Sequence, residues 1–171
     1  EKFDDIEDVK IAYIGDGNNV LHDLMLAAAI LGCDITWATP VGYEPSKSVV
    51  ERASALASSN SSKLSGTNDP LEAVRGANVI YTDVFVSMGE EHLESKLDDF
   101  DGFQVNAELV ANAADDWVFM HCLPAHRGEE VTDEVMDSPN SIVFDQAENR
   151  MWAQMSILTL LCDRSAWETY S

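Results

Sequence analysis

Short apolar runs alternate along this chain with longer segments whose hydrophobic residues recur at helical spacing. Val9-Lys10-Ile11-Ala12-Tyr13-Ile14 is apolar and partly β-branched and breaks at Gly15-Asp16-Gly17, the pattern of a buried strand ending in a tight turn. Asn18 or Asn19 is then placed to cap a helix running to about Leu31. Asp34 to Thr39 predicts a second strand, stopped by Pro40, and a helix over about Ser46 to Ser58 follows. Ser58 to Gly66 is a Ser-rich loop with room for a short strand near Lys63, and Asp69-Pro70 opens a brief helix with proline in its first turn. Further strands are predicted over Asn78 to Asp83, Trp117 to Met120 and Ser141 to Phe144, with a helix over Ala107 to Ala113. Phe85 to Glu91, carrying Gly89 and acids, reads as a flexible loop.

A helix after each strand specifies an α/β fold: a parallel sheet of about five strands, covered on both faces through right-handed crossovers. The expected architecture is a Rossmann-like three-layer αβα sandwich. A chain of 171 residues buries enough surface for one core, so residues 1–171 are read as a single domain. The last helix, Glu148 to Leu161, carries Met151, Trp152, Met155, Ile157, Leu158, Leu160 and Leu161 around more than one face. Two readings stay open for it: packing wholly on its own sheet, or cover from a partner domain or subunit.

Charge narrows the choice of function. Thirty-one acidic residues against ten basic ones give a formal charge of −21. Phosphate backbones are bound by clustered Lys and Arg, so nucleic acid is a poor partner. The acids are dispersed over the chain rather than gathered in a tail, as on a halophile's surface. No apolar run approaches the roughly 18 to 20 residues of a membrane span, and Glu1 to Asp8 is acidic, so a soluble, untargeted, cytoplasmic protein is expected. Cys33, Cys122 and Cys162 are odd in number and far apart, which fits free thiols in a reducing compartment.

The chemistry-bearing residues fall at predicted strand ends. Gly15-Asp16-Gly17-Asn18-Asn19-Val20 lies where a dinucleotide fingerprint would, but Val20 stands at the third glycine position. Its asparagines offer amide groups beside a helix N-terminus, suited to a carboxylate or an amine, or simply to capping. Asp83 ends a strand, and Ser87 follows four residues later on a loop with Met88 and Gly89, an arrangement suited to an ammonium group. His121-Cys122-Leu123-Pro124-Ala125-His126-Arg127 packs a thiol, two imidazoles and a guanidinium into one run. Zinc is not expected there, because no second cluster of ligands exists. Adjacent residues on an extended chain point opposite ways, so His121 and Cys122 make a poor nucleophilic dyad. Arg150 lies beyond a strand end, where it can clamp an oxyanion or phosphate or pair with one of the many acids.

Together Gly15-Asp16-Gly17-Asn18-Asn19, Asp83 with Ser87-Met88-Gly89, His121-Cys122-Leu123-Pro124 and Glu148-Asn149-Arg150 resemble the ornithine-binding half of the ornithine carbamoyltransferases, in that family's order and over about Val9 to Leu161. The resemblance implies transfer of a carbamoyl group from carbamoyl phosphate to L-ornithine, giving citrulline and phosphate with no metal and no cofactor. It implies that Asn19, Asp83, Ser87 and Met88 hold ornithine. It also implies that Cys122, Leu123 and Arg150 meet carbamoyl phosphate, with Cys122 at the reacting amine.

The family's N-terminal half, with its Ser-Thr-Arg-Thr phosphate signature, has no counterpart here. The chain is therefore expected to be an isolated half that binds ornithine weakly and does not turn over; the parent enzymes are homotrimers or higher. Alternatives are a carbamoyltransferase acting on aspartate, putrescine or acetylornithine, or a non-catalytic amino-acid-binding or assembly module. Cys122 argues against the aspartate enzymes, and Ser87-Met88-Gly89 favours free ornithine. The acidic surface gives one expectation testable without substrate. Raising KCl from about 0.1 M to about 1 M shortens the screening length from about 10 Å to about 3 Å, so the thermal unfolding midpoint should climb steadily over that range.

Overall fold

The computed structural model describes residues 1–86 and 94–162, and its backbone is organised by five parallel strands. These are β1 (Lys10–Ile14), β2 (Asp34–Ala38), β3 (Leu64–Thr67), β4 (Val79–Thr82) and β5 (Val118–His121), in the spatial order β3-β2-β1-β4-β5. Helices α1 (Asn19–Leu31), α2 (Lys47–Asn60), α3 (Pro70–Val74), α4 (Ala107–Val110), α5 (Asp133–Met136) and α6 (Val143–Cys162) connect and follow them, with a 3-10 segment over Glu94–Phe100.

Alternation along β1 explains the layers. Tyr13 points to one face, where Leu21, Met25 and Ala28 of α1 and Ala53 and Ala57 of α2 bury it with Ile35, Trp37 and Tyr81. Ala12 and Ile14 point to the other, into a core built with Ile80, Phe85, Phe100, Val105, Phe119 and Val131. Both faces are covered, so the strands are apolar on both sides. The expected three-layer α/β fold is the one observed.

Two strand assignments differ from the sequence reading, and helix α4 ends at Val110 rather than at Ala113. Ser141 to Phe144 is not a strand: Ser141 makes a single bridge to Phe119, Ile142 N–H donates to the Phe119 carbonyl, and helix α6 then begins at Val143 rather than at Glu148. A short apolar run does not by itself distinguish strand from helix. Here Val143 is buried while Phe144 is 75% exposed, and the helix-forming residues that follow carry the run into α6. The fifth strand is instead Leu64–Thr67, paired with β2, where Ser65 and Gly66 dilute the hydrophobic signal.

Gly66 has a packing reason. It lies opposite Trp37 in the ladder, and a Cβ there would come within 2.6 Å of the indole. Gly66→Ala must displace a large ring from the sheet edge. It should cost about 1 to 3 kcal/mol, read as a lower urea midpoint with an unchanged slope at constant salt.

Candidate active site

Strand order reverses between β1 and β4, and ligands of open α/β sheets bind beyond the carboxyl ends of strands at such a point. Three loops leave the sheet at this edge. Gly15 to Asn18 follow β1, Asp83 follows β4 and Cys122 follows β5.

Asn18, not Asn19, is the N-cap of α1: its Oδ1 accepts the N–H groups of Val20 (2.9 Å) and Leu21 (3.3 Å). That bond turns the amide nitrogen outward, and Nδ2 donates to Asp83 Oδ2 at 2.9 Å. The other Asp83 oxygen accepts the Cys122 thiol at 3.1 Å. The carboxylate, 7% exposed, thus ties the ends of β1, β4 and β5 together through two neutral donors. Asn19 begins α1 with its side chain exposed.

Cys122 is held as a thiol. Its pKa rises from 9.0 to about 12, first because its surroundings, despite an open face, desolvate the sulfur, and then because Asp83 accepts its proton and repels a thiolate; Arg150 pulls the other way. Arg150 is therefore within electrostatic reach of Cys122, although its side chain is exposed. Leu123 adopts φ of 56°, sparsely populated for a branched residue, and its N–H donates to His121 Nδ1 at 2.9 Å. The Leu123-Pro124 peptide is cis.

Behind this edge lies a buried layer with little signal in the sequence. His121 and Glu130 are both fully buried, with Nε2 and Oε1 3.3 Å apart but poorly aligned for a hydrogen bond. Gln146 accepts the His121 N–H (3.0 Å) and donates to Tyr81 Oη (2.9 Å), fastening the start of α6 to the end of β5. Burial pushes the Tyr81 phenol up to about 12, with Cys122 and Asp83 adding to it. Asp16 forms a 2.7 Å ion pair with Lys96, a residue the motifs did not single out.

Of the residues expected to form the site, Asn19, Asp83, Cys122, Leu123 and Arg150 lie on or beside one edge, whereas Ser87 and Met88 fall outside the described residues. The dinucleotide reading of the first turn fails on geometry. A Cβ on Gly17 would meet the Tyr43 carbonyl at 2.4 Å and Pro45 N at 2.5 Å, so the chain itself fills the space a pyrophosphate would need. Ligand atoms of Asp83, His121 and Cys122 lie within 4.8 Å of one another, as do those of His126, Glu129 and Glu130. In the first trio the thiol proton and His121 Nδ1 are already engaged in hydrogen bonds. Two large grooves lie elsewhere. One of about 510 Å³ runs past Trp37, Pro45 and Gly66, and one of about 730 Å³ is bounded by Phe85, Phe100 and Gln104. Neither contains Asp83 or Cys122. The convergent polar groups are at the edge, not in either groove.

Residues 7–161 match the family described as aspartate/ornithine carbamoyltransferase, Asp/Orn binding domain. The chain belongs to this family. It is 54% identical over 162 residues to an ornithine carbamoyltransferase of Pyrococcus horikoshii, covering 94% of this chain and 51% of that protein. It is 54% identical over 155 residues to a catabolic ornithine carbamoyltransferase of Halobacterium salinarum, covering 90% and 50%, a similarity that accords with the acidic surface. Among solved structures it superposes on the ornithine carbamoyltransferase of Pyrococcus furiosus with a TM-score of 0.88 at 54% identity, over 91% of this chain and 50% of that one. Ornithine transcarbamoylase of Giardia lamblia gives 0.83 at 33% identity, over 90% and 50%. The chain thus spans about half the length of the relatives it matches. No helix among the described residues is long and apolar enough to cross a membrane.

The Cys122 thiol of this carbamoyltransferase domain offers a direct test of the site's electrostatics. Because its pKa is raised on folding, the neutral thiol favours the fold; that contribution is intact below pH 9 and is lost as pH climbs towards 12. Asp83→Asn removes the repelling charge and the strong acceptor. Alkylation of Cys122 by iodoacetamide near pH 8.5, read by peptide mapping against exposed Cys162, should accelerate on the order of tenfold, as a fall of about one pKa unit implies.

Proposed function

We propose that this domain supplies the ornithine-binding half of an ornithine carbamoyltransferase, in which the side-chain amine of L-ornithine attacks carbamoyl phosphate to give L-citrulline and phosphate. The observation that carries this reading is the Asp83 carboxylate, held at the sheet edge by Asn18 and Cys122, both neutral. Neither of these donors competes with a substrate ammonium as a cation would.

In this reading Asp83, with Asn19, Ser87 and Met88, holds the α-amino and carboxylate groups of ornithine. Cys122 and Leu123 face the reacting amine and the carbamoyl group, and Arg150 takes an oxygen of carbamoyl phosphate. The amine, with a lysine-like pKa near 10.4, must first lose a proton, which costs about 4 to 5 kcal/mol at pH 7. Its lone pair then forms the new C–N bond as the C–O bond to phosphate breaks and the pair leaves on phosphate oxygen. Fixing the amine against the carbonyl lowers the barrier by orientation, and Arg150 stabilises the charge growing on oxygen. A thiol with a pKa near 12 is no thiolate base at neutral pH. Cys122 instead positions the amine, its own S–H directed at Asp83, and the proton shed as the C–N bond forms goes to the departing phosphate.

Neither metal nor cofactor takes part. The carbamoyl-phosphate half of the site belongs to the part of the relatives' length that this chain does not span. The face of α6 carrying Trp152, Met155 and Leu158, each more than half exposed, fits cover by that half in a soluble, cytoplasmic homotrimer or larger assembly.

Calorimetric titration of the chain with L-ornithine in about 1 M KCl should show weak binding. Asp83→Asn should reduce it by at least about tenfold, the loss of a charge-assisted contact. A citrulline assay on the same chain should show no turnover. Absence of ornithine binding, or binding indifferent to Asp83→Asn, overturns the ornithine assignment, and robust turnover overturns the half-site.

A further inference from the structure

With ten basic residues against thirty-one acidic ones, a cation on this surface ordinarily finds a carboxylate, as Lys2 does at Asp145 and Arg127 does at Asp133 and Asp137. Three of the ten do not. Lys10, Lys63 and Arg75 line one depression of about 170 Å³, and none of them forms an ion pair among the described residues. All three are exposed.

The depression lies at the amino ends of the strands, the opposite end of the sheet from Asp83. Lys10 opens β1 and pairs in register with Asp34, which opens β2; Thr36 pairs with Ser65, and Lys63 immediately precedes β3. Alternation puts Lys10 on the face of β1 that carries Ala12 and Ile14, where α3 packs through Ala73 and Val74. Helix α3 has only five residues, little more than one turn, and the chain leaves it at Arg75. The strand starts stay open beside it.

The lining carries the groups of an oxyanion site. The Thr36 and Ser65 hydroxyls are 2.9 Å apart and share one hydrogen bond, so whichever accepts keeps its own proton to donate outward. Asp34 is the one acid in the lining, and its Oδ1 accepts the Lys63 N–H at 2.8 Å. Two lysines and an arginine are thus set against a single carboxylate. Like charges in one depression repel, Asp34 offsets one of them, and a dianion offsets the other two. The overall charge of −21 opposes anions at long range. Near 1 M salt the screening length is about 3 Å, which weakens that distant field far more than contacts at hydrogen-bonding distance.

We propose that Lys10, Lys63 and Arg75 form a binding site for a phosphate dianion, either inorganic phosphate or the phosphoryl group of a small monoester. The Arg75 fork matches two phosphate oxygens, the lysines supply point charges, and the free hydroxyl of the Thr36 and Ser65 pair supplies a neutral donor. The volume is below the roughly 300 Å³ at which drug-sized ligands begin, so it suits a small anion rather than a nucleotide. Nothing in this proposal depends on the ornithine reading.

The experiment is a two-dimensional amide NMR titration of the chain with potassium phosphate and, in a second arm, with glycerol phosphate, the ionic strength held constant with KCl. Saturable shifts should map to the amides of Lys10, Lys63 and Arg75 and their strand neighbours, with a dissociation constant on the order of millimolar. Lys63→Gln and Arg75→Gln should each weaken binding at least about threefold, and the double variant about tenfold or more. Asp34→Asn, which removes the opposing charge and keeps an oxygen for the Lys63 N–H, should tighten it about threefold. Opposite signs set this apart from damage to the strand starts, which would weaken binding in every variant; if a cation variant does not fold, the sign of Asp34→Asn decides. Binding of either anion supports the site, and the tighter of the two identifies its source. Shifts that do not saturate, shifts confined to the Arg150 edge, or binding indifferent to these substitutions overturns it.

Discussion

A carboxylate that is only 7% exposed at the end of a parallel strand must be satisfied by donors that converge on it, and at Asp83 those donors come from the ends of β1 and β5. The rest of the site follows from this requirement. Asn18 satisfies it with the amide nitrogen because its oxygen is spent capping α1. Cys122 satisfies it with its thiol, and that bond adds to the desolvation that keeps the sulfur protonated. One carboxylate thus sets the orientation of one loop and reinforces the protonation of the next.

The polar layer behind the edge converts fold stability into placement. Gln146 ties the first turn of α6 to the backbone of His121 and to Tyr81, so the helix carrying Arg150 is referenced to the strand carrying Cys122. The Leu123 N–H, bonded to His121 Nδ1, holds the chain in a left-handed turn directly after the cysteine. Residues that touch no substrate in the proposed reaction therefore fix those that do, which is how sites on loops gain precision.

Charge works on two scales in this molecule. Over the surface, an excess of acids opposes compaction unless salt screens it. At the switch point, individual charges are paired or left free one at a time: Asp16 with Lys96, Asp83 with neutral groups. The first acts over the whole exposed surface, the second at a partly buried edge, where salt screens charges much less.

The alternation of β-branched runs with helical spacing was enough to define the α/β class, both covered faces and the strand ends at which Asp83, Cys122 and the Gly15–Asn18 turn lie. Those features are local, encoded in periodicity and turn residues. The sequence reading erred at Ser141 to Phe144 because a short apolar run is compatible with either element until its neighbours decide, and it understated Leu64–Thr67 because a strand containing Ser and Gly is specified by its partner, here Trp37 across the ladder. It named the residues on the edge but not their bonds. That Asn18 rather than Asn19 reaches Asp83, that Lys96 is buried on Asp16 from 80 residues away, and that Gln146 clamps His121 are long-range pairings. Tertiary structure alone decides these, because a side chain's partner across the sheet depends on strand order and register, which no local pattern carries.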